Sequence, residues 1–134
     1  MNLFVDTSVW SLAWRRDRPA PSPQVELLEE ALAGDDLVVS TGLVLQELLQ
    51  GFGGPKQRTK ILAAFSAIPL VVPDRDDHIA AADLRNQCRR KGLQVGTIDG
   101  LLAQLCIRHH LQMVSADADF GRIAAMTPLR LARA

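Results

Sequence analysis

The sequence predicts an α/β fold: a mostly parallel central sheet with helices on both faces. Two observations carry that expectation. Short, uninterrupted apolar runs recur along the chain, as expected for strands covered on both sides. Longer stretches with helical spacing of apolar residues separate those runs, and parallel neighbours need crossover connections of this kind. With 134 residues, the chain fits one domain, residues 1–134, able to bury a core without disulfides or structural metal.

Leu3-Phe4-Val5 is the first apolar run. Leu37-Val38-Val39 and Leu70-Val71-Val72 read the same way, followed by Leu111 with Met113-Val114 and a weaker run at Leu129-Arg130-Leu131. A helix is expected over Gln24 to Ala33, where Val25, Leu28, Ala31 and Leu32 share a face and Gly34 is a stop signal. The stretch from Thr41 to Gln50 carries Val44, Leu45, Leu48 and Leu49 and ends at Gly51, and a further helix spans about Pro55 to Ala67. The next opens at Asp74, with Asp76 and Asp77 where the helix dipole favours anions, and closes at Arg89-Arg90-Lys91-Gly92, where it favours cations. The last expected helix starts near Thr97, as its cap, and reaches His110.

Composition sets bounds. Hydrophobic residues make up 48% and charged residues 22%, which excludes a disordered chain. Fifteen basic residues balance fifteen acidic ones, so composition by itself does not advertise a nucleic-acid partner. It does not forbid one, because an acidic cleft rimmed by arginines has the same totals. Cys88 and Cys106 have no CxxC spacing, and a reducing compartment is expected. Met1-Asn2-Leu3-Phe4-Val5-Asp6 lacks the basic and apolar regions of a signal peptide. No run approaches the roughly 18 apolar residues of a membrane helix. The expectation is a soluble, cytoplasmic protein with no membrane partner.

In parallel α/β sheets, ligands bind beyond the carboxyl ends of the strands. Asp6 follows the first strand directly, and Asp117 follows Met113-Val114 within Ser115-Ala116-Asp117-Ala118-Asp119-Phe120. Asp99 lies in the first turn of the last expected helix, and Glu47 flanks the apolar stripe of the helix that precedes Gly51. Taken singly, Asp6 and Asp99 read as helix caps, Glu47 as a solvated helix residue, and Asp117 and Asp119 as turn formers. Those readings do not explain why the acids converge on one edge. Close carboxylates raise one another's pKa unless a cation joins them, and oxygen donors without His or Cys suit Mg²⁺ or Mn²⁺.

The same residues carry a resemblance over essentially the whole chain. Val5-Asp6-Thr7-Ser8-Val9-Trp10 is similar to the opening motif of the PIN-domain family, and in particular of the VapC-type toxins of toxin–antitoxin pairs. Glu47-Leu48-Leu49-Gln50-Gly51, Thr97-Ile98-Asp99-Gly100-Leu101-Leu102-Ala103 and Ser115-Ala116-Asp117-Ala118-Asp119-Phe120 resemble its later motifs in order and spacing. Ser115 stands where Thr is usual and Gly100 where Ala is common; the second departure costs about 1 kcal/mol of helix propensity. The resemblance implies a PIN-like fold and an RNA endonuclease acting with Mg²⁺ or Mn²⁺. It assigns the catalytic site to Asp6, Glu47, Asp99 and Asp117. Asp6, Asp99 and Asp117 would be metal ligands, Glu47 would serve a second metal or the attacking water, and Asp119 is an optional fifth acid. Thr7, Ser8 and Ser115 would hydrogen-bond the ligand carboxylates. A homodimer is implied as well, as is a small cognate antitoxin that presents an arginine or other group to the acidic pocket.

RNA needs cations around such a pocket. Arg15, Arg16, Arg18, Arg85, Arg89, Arg90, Lys91 and Arg122 are candidates, with Arg122 favoured for its closeness in sequence to Asp117; each alone also reads as a solubilising surface charge. Tyrosine is absent and aromatics total 4%, which leaves shape and backbone contacts to dominate RNA recognition. Cys106, His109 and His110 share a helix face, but His109 lies about 15 Å along a continuous helix from Asp99 and reads as a C-terminal dipole partner. Trp10 and Trp14 read as core or dimer contacts, and Gly51-Phe52-Gly53-Gly54-Pro55 as a loop. Two other classes stay open: a phosphatase or phosphotransferase with Asp6 as nucleophile, although Ser8 stands where a second Asp is usual, and a non-catalytic binding module of the same fold.

Overall fold

A computed structural model describes residues 1–15 and 21–133; Arg16 and Arg18 therefore lie outside the described residues. One five-stranded sheet is present, entirely parallel, in the order β3-β2-β1-β4-β5, formed by β1 (Asn2–Val5), β2 (Leu37–Thr41), β3 (Leu70–Val71), β4 (Gln112–Val114) and β5 (Arg130–Leu131). Leu3, Phe4 and Val5 of the central strand are all inaccessible to solvent, as a continuous apolar run requires. The run at Leu70-Val71-Val72 differs. It forms a two-residue edge strand with Leu70 exposed and Val72 80% exposed, because no strand among the described residues pairs beyond it.

Among the described residues, seven helices connect the strands: α1 (Thr7–Trp14), α2 (Pro23–Ala33), α3 (Gly42–Gly51), α4 (Pro55–Phe65), α5 (Arg75–Arg90), α6 (Thr97–Arg108) and α7 (Ala118–Ala124). The chain steps outward from β1 to β2 to β3, then returns across the sheet to β4 and β5 on the other side of β1. Right-handed crossovers put the helices of those two excursions on opposite faces. Packing agrees: α1 lies on α2 and α3, and α3 on α4, while α6 packs with α5 and α7. The reversal between β1 and β4 is the topological switch point, the crevice where such sheets bind ligands.

Local chemistry sets the boundaries. Ser22 caps α2 by accepting from the Val25 amide, with Pro23 at the first helical position. Asp74 and Asp77 form a reciprocal capping box on α5, and Arg108 at the end of α6 donates to both carboxylates, at 2.9 and 2.7 Å. Gly92, at φ 88°, takes the left-handed position just past α5. Thr97 does not cap α6: it is the first helical residue, and Gly96 occupies the cap position with no side-chain bond. That helix ends at Arg108, two residues short of the expected His110, and His110 turns away at φ 55°. The segment after β4 is the helix α7, which apolar spacing does not reveal because it has only seven residues.

Trp10, 2% exposed, packs against Phe65 and Trp14 with ring centroids 5.0 and 5.2 Å away. Its indole N–H donates to the Val5 carbonyl at 3.2 Å, satisfying the last backbone acceptor of β1 beside Asp6. Trp10→Ala should therefore lower stability by about 3–5 kcal/mol. Trp10→Phe should cost about 1–3 kcal/mol through the orphaned carbonyl. Urea denaturation of both variants checks this; a Trp10→Phe protein as stable as the wild type would show that the indole bond contributes nothing.

Candidate active site

The end of β1 delivers Asp6 to the switch point, where its carboxylate is 4% exposed and caps α1. Its Oδ1 accepts from the Val9 amide at 3.3 Å and from the Ser8 hydroxyl at 2.5 Å; its Oδ2 accepts from the Ser115 hydroxyl at 2.6 Å. Both serines are themselves tied down. Ser8 Oγ accepts from the Ala116 amide at 3.0 Å, and Ser115 Oγ accepts from the Asp117 amide at 2.9 Å. Two hydroxyls thus lock the start of α1 to the segment leaving β4, with Asp6 at the centre. The capping reading of Asp6 and its placement at the acidic edge hold together.

Asp117 caps the short α7 by accepting from the Asp119 amide at 2.9 Å. Asp99 sits half-buried in the first turn of α6. Carboxylate oxygens of Asp99, Asp117 and Asp119 all lie within 4.8 Å of one another, so Asp119 belongs to the tightest acidic group. Glu47 reaches the edge from α3, half-buried, and its Oε1 accepts from the Thr7 hydroxyl at 2.8 Å. Five acids from three helices and a strand end therefore share one edge.

Their mutual field is visible in two groups. Burial pushes the Asp99 carboxyl above its ordinary range, and the charges of Asp117, Asp119, Asp6 and Glu47 push it further. Burial likewise raises Asp6; the bonds from Ser115, Ser8 and Val9 offset this in part, and the charge of Asp117 adds to it. Among the described residues, the ion pairs put one cation on these five acids: Arg122, whose guanidinium meets Asp119 Oδ1 at 2.5 Å. A set of oxygen donors with too few counter-charges and no His or Cys among them is the donor set of a hard divalent cation.

The remaining candidates separate. Cys106 is buried, and burial together with the charge of Asp6 drives its thiol far above the ordinary range, while His109 and His110 are exposed at the far end of α6. They form no site with Asp99. Arg15, Arg89, Arg90 and Lys91 are exposed. Arg85 is half-buried, and its Nε–H donates to the Val95 carbonyl at 2.7 Å. Among the described residues, no helix is long and apolar enough to cross a membrane.

A parallel sheet with an acidic crevice at its switch point defines an α/β domain of the kind that binds ligands beyond its strand ends. Residues 3–126 match the PIN domain. Ribonuclease VapC11 of Mycobacterium tuberculosis is 33% identical over 133 residues, covering 97% of each chain. Two solved structures share the fold. VapBC-1 from nontypeable Haemophilus influenzae has a TM-score of 0.75 at 18% identity, covering 98% of this chain and 97% of that one. VapBC2 from Rickettsia felis, bound to a DNA fragment from its promoter, has a TM-score of 0.74 at 22% identity and covers 98% of both chains. The chain belongs to the PIN-domain family and sits among its VapC-type members.

Asp99 supplies a pH test. Its carboxyl is raised above the unfolded value of 3.8, so the folded, metal-free protein holds its proton more tightly than the unfolded chain does. That stabilisation is present below 3.8 and is lost as pH rises through the folded value. Asp99→Asn should therefore raise the Tm of the metal-free protein at neutral pH, with the difference from wild type shrinking toward acid. Thermal melts in chelator at several pH values measure this; an Asn variant that melts lower at neutral pH would contradict the crowding.

Proposed function

We propose that this protein is a divalent-metal-dependent endoribonuclease, using Mg²⁺ or Mn²⁺, that serves as the toxin of a toxin–antitoxin pair. The observation that carries the reading is the convergence of Asp6, Glu47, Asp99, Asp117 and Asp119 on the switch point, in a chain 33% identical to a VapC ribonuclease over nearly its whole length. A small cognate antitoxin is the expected protein partner, in keeping with VapBC complexes of the same fold. A homodimer is the expected assembly, and the cytoplasm, where RNA is met, the expected place of action.

Asp6, Asp99 and Asp117 would hold the cation, with Asp119, grouped with Asp99 and Asp117, as a further donor. When bound, a divalent cation supplies positive charge to the scissile phosphate and acidifies the attacking water. Everything else falls to the chain's own residues. Ser8 and Ser115 occupy both Asp6 oxygens and fix the plane of that carboxylate, which favours a holding role over nucleophilic attack. Thr7 orients Glu47 through Oε1 and leaves Oε2 to take a proton from water. Arg122, at the rim on Asp119, is the cation best placed to meet an RNA phosphate.

Cleavage of total cellular RNA with Mg²⁺ tests this, beside Asp6→Asn, which keeps an oxygen to cap α1. The variant should fold normally and lose cleavage activity, since Asp6 would be one of the groups holding the cation. Ser115→Ala should weaken Mn²⁺ binding by about 10-fold or more in calorimetry, because it frees the Asp6 carboxylate to turn. A folded Asp6→Asn protein with full activity would sink the assignment.

A further inference from the structure

The first turn of α6 carries Asp99 into the field of four other acids, yet that turn has no side-chain cap: Gly96 stands at the cap position. What holds it comes from the neighbouring helix. Arg85 of α5 donates Nε–H to the carbonyl of Val95, the residue immediately before that cap, at 2.7 Å. Val95 is buried and Arg85 half-buried, so this bond is partly shielded from water. The segment it grips also walls the crevice beside Asp99: Val95 and Gly96 line one small cleft together with Asp99 and Asp119.

Gly100 makes this reach possible. A Cβ built on it would lie 2.7 Å from Arg85 Cγ and 3.0 Å from Cδ, closer than carbon atoms pack. These atoms are mid-stem, and the far end of the side chain is already tethered to Val95, so the stem has no easy retreat. The position one residue after Asp99 is thus reserved for glycine by the arginine crossing it. The helix propensity lost there is given up for the close approach.

We propose that Arg85 is a positioning residue for the acidic site: lying across Gly100 and bonded to Val95, it fixes the start of α6 and so holds Asp99 among the other carboxylates. It acts through the backbone and does not touch the substrate. The proposal rests on the metal-dependent reading above, and it adds to that reading a residue outside the carboxylate set.

Mn²⁺ titration of the metal-free full chain by calorimetry, with hydrogen exchange of the amides from 95 to 100, tests it. Arg85→Lys keeps the hydrocarbon stem and the charge but lacks Nε. It should leave the circular dichroism spectrum unchanged, speed exchange at the start of α6 and weaken Mn²⁺ binding by about 10-fold. Gly100→Ala should lower the Tm in the wild-type background and raise it in an Arg85→Ala background, where the clash is gone and only alanine's helix preference remains. If Gly100→Ala does not fold, Arg85→Lys carries the test. Folded variants that bind Mn²⁺ within twofold of wild type, or Gly100→Ala raising the Tm in both backgrounds, would overturn the positioning role alone. A wild-type protein that binds no Mn²⁺ would overturn the metal-dependent reading, and this role with it.

Discussion

Repulsion between carboxylates crowded at the end of β1 is the constraint on which the site's architecture depends. The chain meets it mainly with neutral donors. Thr7, Ser8 and Ser115 supply hydroxyls, and the amides of Val9 and Asp119 supply N–H groups, whereas Arg122 is the one described cation paired with any of the five acids. Neutral donors orient an anion without cancelling its charge, so the pocket keeps the negative potential that draws in a cation. A site neutralised by lysines would be easier to fold and would have little use for a metal.

The same donors tie function to folding. Asp6 caps α1, Asp117 caps α7, and Ser8 and Ser115 each bond an acid while accepting a backbone amide. Because each of these groups serves both the backbone and the pocket, the geometry of the carboxylates is as rigid as the helix starts themselves. Asp99 is the exception. Its helix begins without a cap, and its position depends on the packing of α5 along α6.

Much of this was legible in the sequence, for reasons that can be named. Leu3-Phe4-Val5 reads as a doubly covered strand because it is one, and Asp74 with Asp77 reads as a helix start because capping is a local event. Leu70-Val71-Val72 carries the same apolar signature at an edge, since composition does not report how many neighbours a strand has. The seven residues of α7 are too few for periodicity to register, so Asp117 looked like a turn former when it is a cap. The close grouping of Asp119 with Asp99 depends on α6 meeting α7, which no local pattern encodes. Gly100 looked like a mild departure from alanine until Arg85 was seen to lie across it.

The bond between Asp6 and Ser115 spans 109 residues of chain. During synthesis, the first acid of the pocket leaves the ribosome long before the hydroxyl that orients it, and Asp117 and Asp119 emerge later still. Contacts of such long range form late. A nascent or truncated chain therefore carries Asp6, Glu47 and even Asp99 without the arrangement that makes them a site. The acidic set is therefore complete only once the segment from Ser115 to Asp119 has followed, 109 residues after Asp6 at its nearest.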